Sequence, residues 1–434
     1  MRKFILLPLL LVLTPVLPLL AVELESLPSD PYFAAYKPFK APQPEGLLLK
    51  PGDRLAICGD SITEQKMYSR IIETYLTVSV PRLNVTVRQH GWGGEKSPGL
   101  LARMENDVLR FKPTIVTTCY GMNDHNYQTY QEEFGRIYRD ASRAIIQKFK
   151  ETGVRVIQGA AGNVGIKPPW AAKADDTVDN LNLSLLEFRN IDVTLAHEEN
   201  VAFADCFLPM LVAGFEAKKK YGDSYMLSGK DGVHPGWAGH LVMAYAFLKA
   251  MGLDGNIGTI TLDLASGEAT ASEGHQILES DSNEVEVKSS RYPFCATGPI
   301  DKDSSIRSGM TLVPFNEELN RFILLVKNTS ANRYRITWGK NSKTYTAEEL
   351  TKGINLAADF ELNPFTHAFL MVDEIVGRKQ AFETKQMKEM MHGKAGSEDM
   401  EGTVAKTESE RDKLTAFIKA AIVPVTHTIR IVAE

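Results

Sequence analysis

Between residues 52 and 206, short apolar or β-branched runs alternate with longer segments of helical periodicity. Alternation of this kind is typical of a parallel sheet with helices on both faces. We therefore predict an α/β core built on a five-stranded parallel sheet. The predicted strands are Arg54–Gly59, Val85–Gln89, Thr114–Cys119, Val154–Gln158 and Val201–Cys206.

The segments between these strands carry the signals that begin and end helices. Ser97 and Pro98 combine a capping residue with a proline at the first helical position. Apolar residues recur at helical spacing from Tyr130 to Phe149, and Gly153 follows as a C-terminal cap. Two further helices, predicted over residues 175–200 and 237–251, complete the core.

Beyond Gly252 the apolar positions recur every second residue, which predicts strands with one exposed face. Thr259–Leu264 and Glu284–Lys288 alternate in this way and are predicted to be antiparallel strands. Arg321–Lys327 and Tyr334–Gly339 are predicted to pair with each other through the loop between them. We interpret residues 255–347 as a small β-rich module.

The C-terminal part returns to helical spacing. Helices are predicted over 366–391 and 408–421, separated by a flexible stretch from Gly393 to Gly402. The final segment Thr426–Val432 has period-two character, and a sheet with one apolar face must bury that face. We expect this strand to join the β-rich module and the 366–391 helix to cover it, so that residues 255–434 form one accessory unit.

Composition and charge narrow the class of protein. The 434 residues are 44% hydrophobic and include 49 Lys and Arg against 54 Asp and Glu, for a net charge of −5. This balance is ordinary for a globular protein and offers no basic footprint for nucleic acid. We find no H-x-x-x-H or Cys–His spacing that suggests a metal site, so none is predicted.

The N-terminus has the features of an export signal. Met1–Lys3 is a basic start, residues 4–20 are apolar apart from prolines and one threonine, and Ala21 is a small residue at the cleavage position. A retained membrane anchor is the alternative, but three prolines argue against a continuous spanning helix. We predict a signal peptide over 1–21, a periplasmic or extracellular chain without another membrane span, and an irregular proline-rich extension over 22–50.

The four cysteines are predicted to be free thiols. Cys58, Cys119 and Cys206 lie at the ends of predicted buried strands, where cysteine commonly packs as a small hydrophobe. Cys295 lies apart from them in the β-rich module. A disulfide between Cys58 and Cys119 is the one exception that we leave open.

Four short motifs lie where a strand of the parallel sheet should end or where the last helix of the core should begin. Ligands of open α/β sheets bind in the crevice outside the carboxyl ends of the strands. A serine on a tight strand-to-helix turn presents its hydroxyl and its N–H together, and glycines let backbone N–H groups approach a ligand. The motifs are Gly59-Asp60-Ser61-Ile62, His90-Gly91-Trp92-Gly93-Gly94, Gly121-Met122-Asn123-Asp124 and Asp231-Gly232-Val233-His234.

Together the motifs resemble those of the SGNH hydrolases, the GDSL-type esterases and lipases, and in particular their exported bacterial members. The first motif matches the nucleophile motif of that family, with Ile62 where leucine is commoner. Gly94 falls at the family's block glycine, the third motif fits G-x-N-D, and the fourth fits D-x-x-H. The resemblance covers residues 52–252 and implies a flavodoxin-like three-layer α/β/α hydrolase domain over residues 51–254, with no cofactor.

Each motif then has a chemical role. Ser61 would be the nucleophile, His234 its general base, and Asp231 the group that orients the imidazole. The resemblance further implies an oxyanion hole made of the N–H groups of Ser61 and Gly94 and the side-chain amide of Asn123.

Other residues near the motifs are candidates for the walls of the pocket. Asp60 is expected mainly to shape the turn before Ser61, and His125 flanks the third motif. An indole has an apolar face that can stack on a sugar ring, and Trp92, Trp170 and Trp237 lie in or beside the motif segments. Packing within a loop is the alternative for each of them. The possible pocket residues are Asp60, Trp92, His125 and Trp237.

The sequence therefore predicts an exported serine esterase that forms an acyl intermediate on Ser61. The favoured substrate is a short acyl group, acetyl above all, on a small molecule or carbohydrate, because export and aromatic stacking both suit a carbohydrate ester. Two alternatives stay open. One is a lysophospholipase or thioesterase with the same mechanism, and the other is a carbohydrate-binding protein on an inactive hydrolase scaffold.

Overall fold

A five-stranded parallel sheet with the spatial order β2-β1-β3-β4-β5 forms the centre of the protein. The computed structural model describes residues 23–173 and 175–434, so the predicted signal peptide over residues 1–21 lies outside the described residues. The predicted parallel sheet is confirmed, and its strand order is that of a flavodoxin-like fold. The strands are β1 (Arg54–Gly59), β2 (Thr86–Gly91), β3 (Ile115–Tyr120), β4 (Arg155–Ala160) and β5 (Ala202–Ala204).

Helices follow the strands and cover both faces of this sheet. The helices are α1 (Ser61–Glu64), α2 (Tyr68–Ser79), α3 (Ser97–Asp107), α4 (Glu132–Glu151), α5 (Val178–Glu199), α6 (Phe207–Tyr221) and α7 (Trp237–Ala250). Side chains of β1 alternate between the two faces. Ala56 and Cys58 belong to the apolar cluster under α3 and α4, whereas Leu55 and Ile57 belong to the cluster under α2 and α7.

All four cysteines are buried, and in the described part of the chain they are free thiols. Cys58 packs in the apolar cluster under α3 and α4, and Cys119 packs in the cluster on the opposite face of the sheet. Because the sheet separates the two sulfurs, the disulfide that the sequence left open does not form.

The proline-rich extension packs against the core instead of leaving it. A 3₁₀-helix at Pro31–Ala35 buries Phe33, and the N–H of Phe39 donates to the Asn190 side chain of α5 at 2.9 Å. An isolated β-bridge joins Leu24 to Phe39. The extension is therefore irregular, as predicted, and is held against the core by the buried Phe33 and by the hydrogen bond from Phe39 to Asn190.

The region after Gly252 contains two sheets, where one antiparallel sheet was predicted. The first has the order β13-β10-β6-β7 and the second the order β12-β11-β14-β9-β8. The strands are β6 (Asn256–Asp263), β7 (Ala269–Ala271), β8 (His275–Ser280), β9 (Glu284–Ser289), β10 (Arg321–Lys327), β11 (Arg333–Trp338), β12 (Asn341–Thr346), β13 (Ile354–Asn355) and β14 (Val425–Ala433). Between them lie the short helices α8 (Ile306–Met310), α9 (Phe315–Glu318), α10 (Ala347–Lys352) and α11 (Leu356–Asp359).

The strand pairing in this region agrees with the prediction only in part. β6, predicted to be an antiparallel strand, pairs antiparallel with β7 on one side but in parallel with β10 on the other. β10 and β11 do not pair with each other, because β11 lies between β12 and β14 in the second sheet. Period-two alternation reports a strand with one buried face, and it is the same whichever neighbour the strand pairs with.

The C-terminal strand β14 pairs antiparallel with β9 and β11, so the predicted return of the tail to the β-rich region is confirmed. The helices before it are α12 (Thr366–Lys385), a π-helix over Gln386–Met391, α13 (Lys394–Glu398) and α14 (Met400–Ala421). The stretch Gly393–Gly402, predicted to be flexible, is therefore mostly helical.

The 366–391 helix does not cover the β-rich region as predicted. α12 packs along α2 and β2 of the parallel sheet, and near its N-terminal end Phe369 contacts Phe294. No helix in residues 23–173 or 175–434 combines the length and the apolar character needed to cross a membrane.

Candidate active site

Ser61 lies at the carboxyl end of β1, where it is the first residue of α1. Asp60 caps this short helix, because its Oδ1 accepts the N–H of Ile62 at 2.9 Å. Gly59 leaves no room for a side chain, since a Cβ there would lie 2.0 Å from Thr63 Oγ1. The close contact of strand and helix therefore sets the serine at the edge of the sheet.

Ser61, His234 and Asp231 form one chain of hydrogen bonds. Ser61 Oγ lies 2.8 Å from His234 Nε2, and His234 Nδ1 lies 2.7 Å from Asp231 Oδ2. A carboxylate can only accept, so the proton of the neutral imidazole lies on Nδ1 and Nε2 is free to accept the serine proton. The second oxygen of Asp231 accepts the N–H groups of Val233 and His234 at 3.0 and 2.9 Å.

The electrostatics of Asp231 suit this arrangement. Partial burial by itself would raise the pKa of the Asp231 carboxyl group. The N–H groups of His234 and Val233 and the His234 ring outweigh burial, so the pKa lies below its ordinary value of 3.8. Asp231 is therefore ionised at neutral pH and can stabilise a positive charge on the imidazole.

The turn Trp92–Glu95, called the glycine turn below, follows β2. The N–H of Trp92 donates to the carbonyl of Gly59 at 2.9 Å, and the N–H of Glu95 donates to the carbonyl of Trp92 at 3.1 Å. Gly94 has a φ of +73°, which glycine adopts without steric cost. Among the described residues, the N–H groups of Gly94 and Ser61 have no hydrogen-bond acceptor. Both are therefore available to a ligand.

The side-chain amide of Asn123 lies between the serine turn and the glycine turn. Its Nδ2 donates to the carbonyl oxygen of Glu95 at 3.1 Å and to Asp60 Oδ2 at a longer 3.3 Å. Its Oδ1 accepts the hydroxyl of Tyr127 at 3.0 Å. Neighbouring groups therefore fix the orientation of the Asn123 amide through both its nitrogen and its oxygen.

Asp60 is a buried carboxyl group beside these donors. Burial raises the pKa of Asp60 to about 7, the N–H of Ile62 opposes the shift, and the carboxyl groups of Asp124 and Glu95 add to it. Glu95 itself is held by the guanidinium of Arg103, with 2.6 Å between Nε and Oε1. Asp60 therefore titrates near neutrality within hydrogen-bonding distance of Asn123.

Among the three candidate tryptophans, Trp170 is the one that lies beside the ring of His234. Its ring centroid lies 6.2 Å from that of His234 and 5.5 Å from that of Tyr127. The indole is 44% exposed, which is unusual for so large an apolar group. A flat ligand beside His234 would therefore find an aromatic surface next to it.

The other predicted pocket residues have different surroundings. Trp92 packs against the C-terminal region, with its ring 5.0 Å from that of His392. Trp237 begins α7 and lies under the guanidinium of Arg70. His125 is fully buried, its Nδ1 lies 3.3 Å from the carbonyl oxygen of Gly121, and burial lowers its pKa to about 4. Within residues 23–173 and 175–434, no group of three or more His, Cys, Asp or Glu side chains could hold a metal ion.

Two features of the site escaped the sequence reasoning. Tyr127 lies four residues after Asn123, and that spacing within one turn could have suggested their contact. Lys388 reaches Glu64, one turn after Ser61, from 324 residues away, with 2.7 Å between Nζ and Oε1. No local pattern marks that second contact.

Comparison with known proteins agrees with this geometry. Residues 57–242 match the GDSL-like Lipase/Acylhydrolase family. An acetylxylan esterase of Geobacillus stearothermophilus is 24% identical over 224 residues, which are 47% of this chain and 95% of the esterase.

Solved structures extend the comparison beyond the parallel sheet. A gut microbial diltiazem-metabolizing enzyme, 22% identical, superposes with a TM-score of 0.71 over 91% of this chain and 100% of that chain. The crystal structure of an acetylxylan esterase from Geobacillus stearothermophilus, 23% identical, covers 48% of this chain and 97% of its own, with a TM-score of 0.40. The first of these similarities shows that the fold, including most of the region after Gly252, is shared with another protein.

Proposed function

We propose that this ester-hydrolysing enzyme, whose residues 57–242 are a GDSL-like lipase/acylhydrolase domain, removes short acyl groups, acetyl above all, from carbohydrates. The observation that carries the proposal is the hydrogen-bonded chain Ser61–His234–Asp231, with 2.8 and 2.7 Å between the bonding atoms. A serine hydroxyl needs such a base to act as a nucleophile at neutral pH.

The reaction proceeds in two steps on Ser61. Its Oγ attacks the ester carbonyl while its proton passes to His234 Nε2, and Asp231 stabilises the resulting imidazolium. The tetrahedral intermediate then loses the alcohol, which takes the proton from His234. Water, deprotonated by the same imidazole, attacks the acyl-serine and releases the carboxylic acid and free Ser61.

The N–H groups of Ser61 and Gly94 bind the oxyanion, because neither is used by another acceptor within the described chain. Asn123 is the third donor. Its longer bond, 3.3 Å to Asp60, is the one that it exchanges for the oxyanion, while the 3.1 Å bond to Glu95 keeps the amide in place. Loss of one such donor costs a factor of about 10²–10³ in rate.

The substrate class rests on two supports. The exposed indole of Trp170 lies beside His234, where a sugar ring attached to the ester would stack. A relative of similar sequence is an acetylxylan esterase, which removes acetyl groups from a polysaccharide. Both favour an acylated carbohydrate over a long-chain lipid.

Two experiments test the proposal. A fluorophosphonate probe followed by peptide mapping should label Ser61, and Ser61→Ala should lose both labelling and esterase activity while the exposed Ser304→Ala keeps them. Labelling elsewhere with activity intact would contradict the mechanism, and a fully inactive wild-type chain would indicate a binding protein on a hydrolase scaffold.

The second experiment measures kcat/KM for p-nitrophenyl acetate, butyrate, octanoate and palmitate and for acetylated xylo-oligosaccharides. Activity should be highest on acetate and on the oligosaccharides. A maximum at octanoate or palmitate, or on a lysophospholipid or acyl thioester, would replace the carbohydrate ester by a lipase or thioesterase substrate.

We further propose that residues 1–21 direct export and are removed after Ala21. Intact-mass measurement of protein recovered from outside the cytoplasm should give a chain that begins at Val22. A chain that retains Met1 would contradict the proposal.

A further inference from the structure

The glycine turn is in contact with the C-terminal region of the chain. The ring of Trp92 lies 5.0 Å from the ring of His392 and 5.1 Å from Lys388 Nζ. His392 is itself fixed, because its Nε2 lies 2.8 Å from both carboxylate oxygens of Asp107 at the end of α3. Residues 388–392 therefore form one wall of the turn that carries Gly94.

Glu64 joins this wall to the catalytic serine's helix. Glu64 is the last residue of α1, one turn after Ser61. One oxygen of its carboxylate accepts the N–H of Gly93, and the other accepts Lys388 Nζ at 2.7 Å. Both side chains are largely shielded from water, with 24% of Glu64 and 31% of Lys388 exposed, so the charged pair is stronger than a surface one.

These contacts bear on the oxyanion hole because the turn has two glycines in a row. Adjacent glycines resist reorientation of their shared peptide very little, and that peptide carries the N–H of Gly94. Glu64 restrains this peptide from the N-terminal side, because its carboxylate accepts the N–H of Gly93. On the C-terminal side, the N–H of Glu95 closes the turn by donating to the carbonyl of Trp92.

Lys388 also neutralises the negative charge of the Glu64 carboxylate. Without it, the Glu64 carboxylate would be a poorly compensated negative charge near the site where the oxyanion develops, which raises the barrier to its formation. Lys66 does not replace it, because Lys66 Nζ donates to the backbone carbonyl of Glu64 at 2.5 Å and not to the carboxylate.

The position of Lys388 depends on an irregular helix. It lies in the π-helix Gln386–Met391, whose first residue binds Arg88 of β2 through 2.8 Å between Gln386 Oε1 and Arg88 Nη1. Single π-turns of this kind are frequent at functional sites.

We infer that Lys388 and Glu64 are positioning residues of the active site: through Gly93 they hold the glycine turn so that the N–H of Gly94 faces the oxyanion. The inference rests on the proposed function and makes the C-terminal region part of the catalytic apparatus.

The test compares Lys388→Met with Lys388→Arg and with Lys385→Met, an exposed lysine one turn earlier in the same helical segment. On p-nitrophenyl acetate, Lys388→Met should lower kcat about 10–100-fold, somewhat less than loss of an oxyanion donor itself, with KM within about 2-fold. Lys388→Arg should recover most of the loss, because the guanidinium can bind the same carboxylate. Lys385→Met should match the wild type.

A double-mutant cycle separates positioning from general stability. In a Glu64→Gln background, Lys388→Met should cost less than about 3-fold in kcat, because the carboxylate that it neutralises is gone. Equal costs in both backgrounds would overturn the inference, as would a Lys388→Met enzyme as active as Lys385→Met. The proposed function fails independently, if the wild type lacks esterase activity or Ser61→Ala retains it.

Discussion

The carboxylate of Glu383 accepts the backbone N–H of Gln89, with 3.1 Å between Oε2 and N. Gln89 lies on β2, an edge strand of the parallel sheet, whose outward N–H and C=O groups would otherwise be open to another chain. Lys379 and Arg411 complete the edge by donating to the carbonyl of Val87 at 2.6 and 2.9 Å. Side chains of α12 and α14 thus take the place of a sixth strand.

Glu383 is the centre of this edge, because it also binds Lys379 and Arg411 at 2.7 Å each. Glu383→Gln should lower the free energy of unfolding by about 3–5 kcal/mol. It removes the carboxylate that Arg411 binds and leaves Lys379 with Glu73, 3.0 Å away. Urea unfolding followed by circular dichroism measures this. The exposed pair offers the control: Glu374→Gln, beside Arg378, should change stability by less than about 0.5 kcal/mol. Equal stability of the two variants would contradict the account.

A chain that ends after Gly252 should be insoluble. It would expose the edge of β2 and the apolar side chains that α2 buries against the C-terminal region. The measurement is the soluble fraction after expression, with the full chain as control. A soluble monomer with full esterase activity would show that the chain up to Gly252 folds alone and that the region after it is dispensable.

Asp231→Asn should lower kcat/KM on p-nitrophenyl acetate by about 10³–10⁴-fold with an unchanged fold, because an amide no longer stabilises the imidazolium or fixes the tautomer. Asp223→Asn, an exposed aspartate eight residues earlier, is the control and should retain full activity. A variant within 10-fold of the wild type, roughly the loss of one weak contact, would assign the orienting role to another group.

Asp60 should make stability depend on pH. Its folded pKa of about 7 lies above the ordinary 3.8, so the folded state keeps a proton that the unfolded state has released. The contribution of Asp60 to the free energy of unfolding is therefore fully present below about pH 4, and it is lost as the pH rises towards 7. Relative to Asp60→Asn, the wild type should lose about 2–4 kcal/mol of unfolding free energy across that range. A pH-independent difference in urea unfolding would refute this.

Trp170→Ala should separate polymer from small-ester activity. Loss of one stacking surface, worth about 1 kcal/mol, should lower kcat/KM for acetylated xylo-oligosaccharides about 5-fold while p-nitrophenyl acetate changes less than about 2-fold. Phe417→Ala, which removes an exposed aromatic ring from α14, should affect neither substrate. Equal losses on both substrates would place Trp170 in the support of His234 instead of in sugar binding.

Much of the core could be predicted because its signals are local. The strands of the parallel sheet lie in short apolar or β-branched runs, and the first three motifs follow their strands within a few residues. Ser61 could be singled out because it follows β1 at the carboxyl edge of the sheet, where open α/β sheets bind ligands. Asp231 and His234 were identified through the resemblance of their segment to the D-x-x-H motif of the SGNH hydrolases.

The region after Gly252 shows where local signals end. Alternation located β6, β10 and β11, and it described equally well the antiparallel pairing that was predicted and the pairing that forms. A strand's own pattern records that one face is buried, and the partner on its edge is chosen by the packing of the whole region.

Chain order, apolar periodicity and the four motifs by themselves determined the parallel sheet and the residues at its crevice. The tertiary structure alone decided that α12 and the π-helix lie along β2, that Glu383 closes its edge, and that Lys388 reaches Glu64. Those contacts join residues about 300 positions apart, and each is a charge-assisted hydrogen bond that is strong because burial shields it from water. That burial exists only after the chain has folded, so no local sequence pattern predicts these contacts.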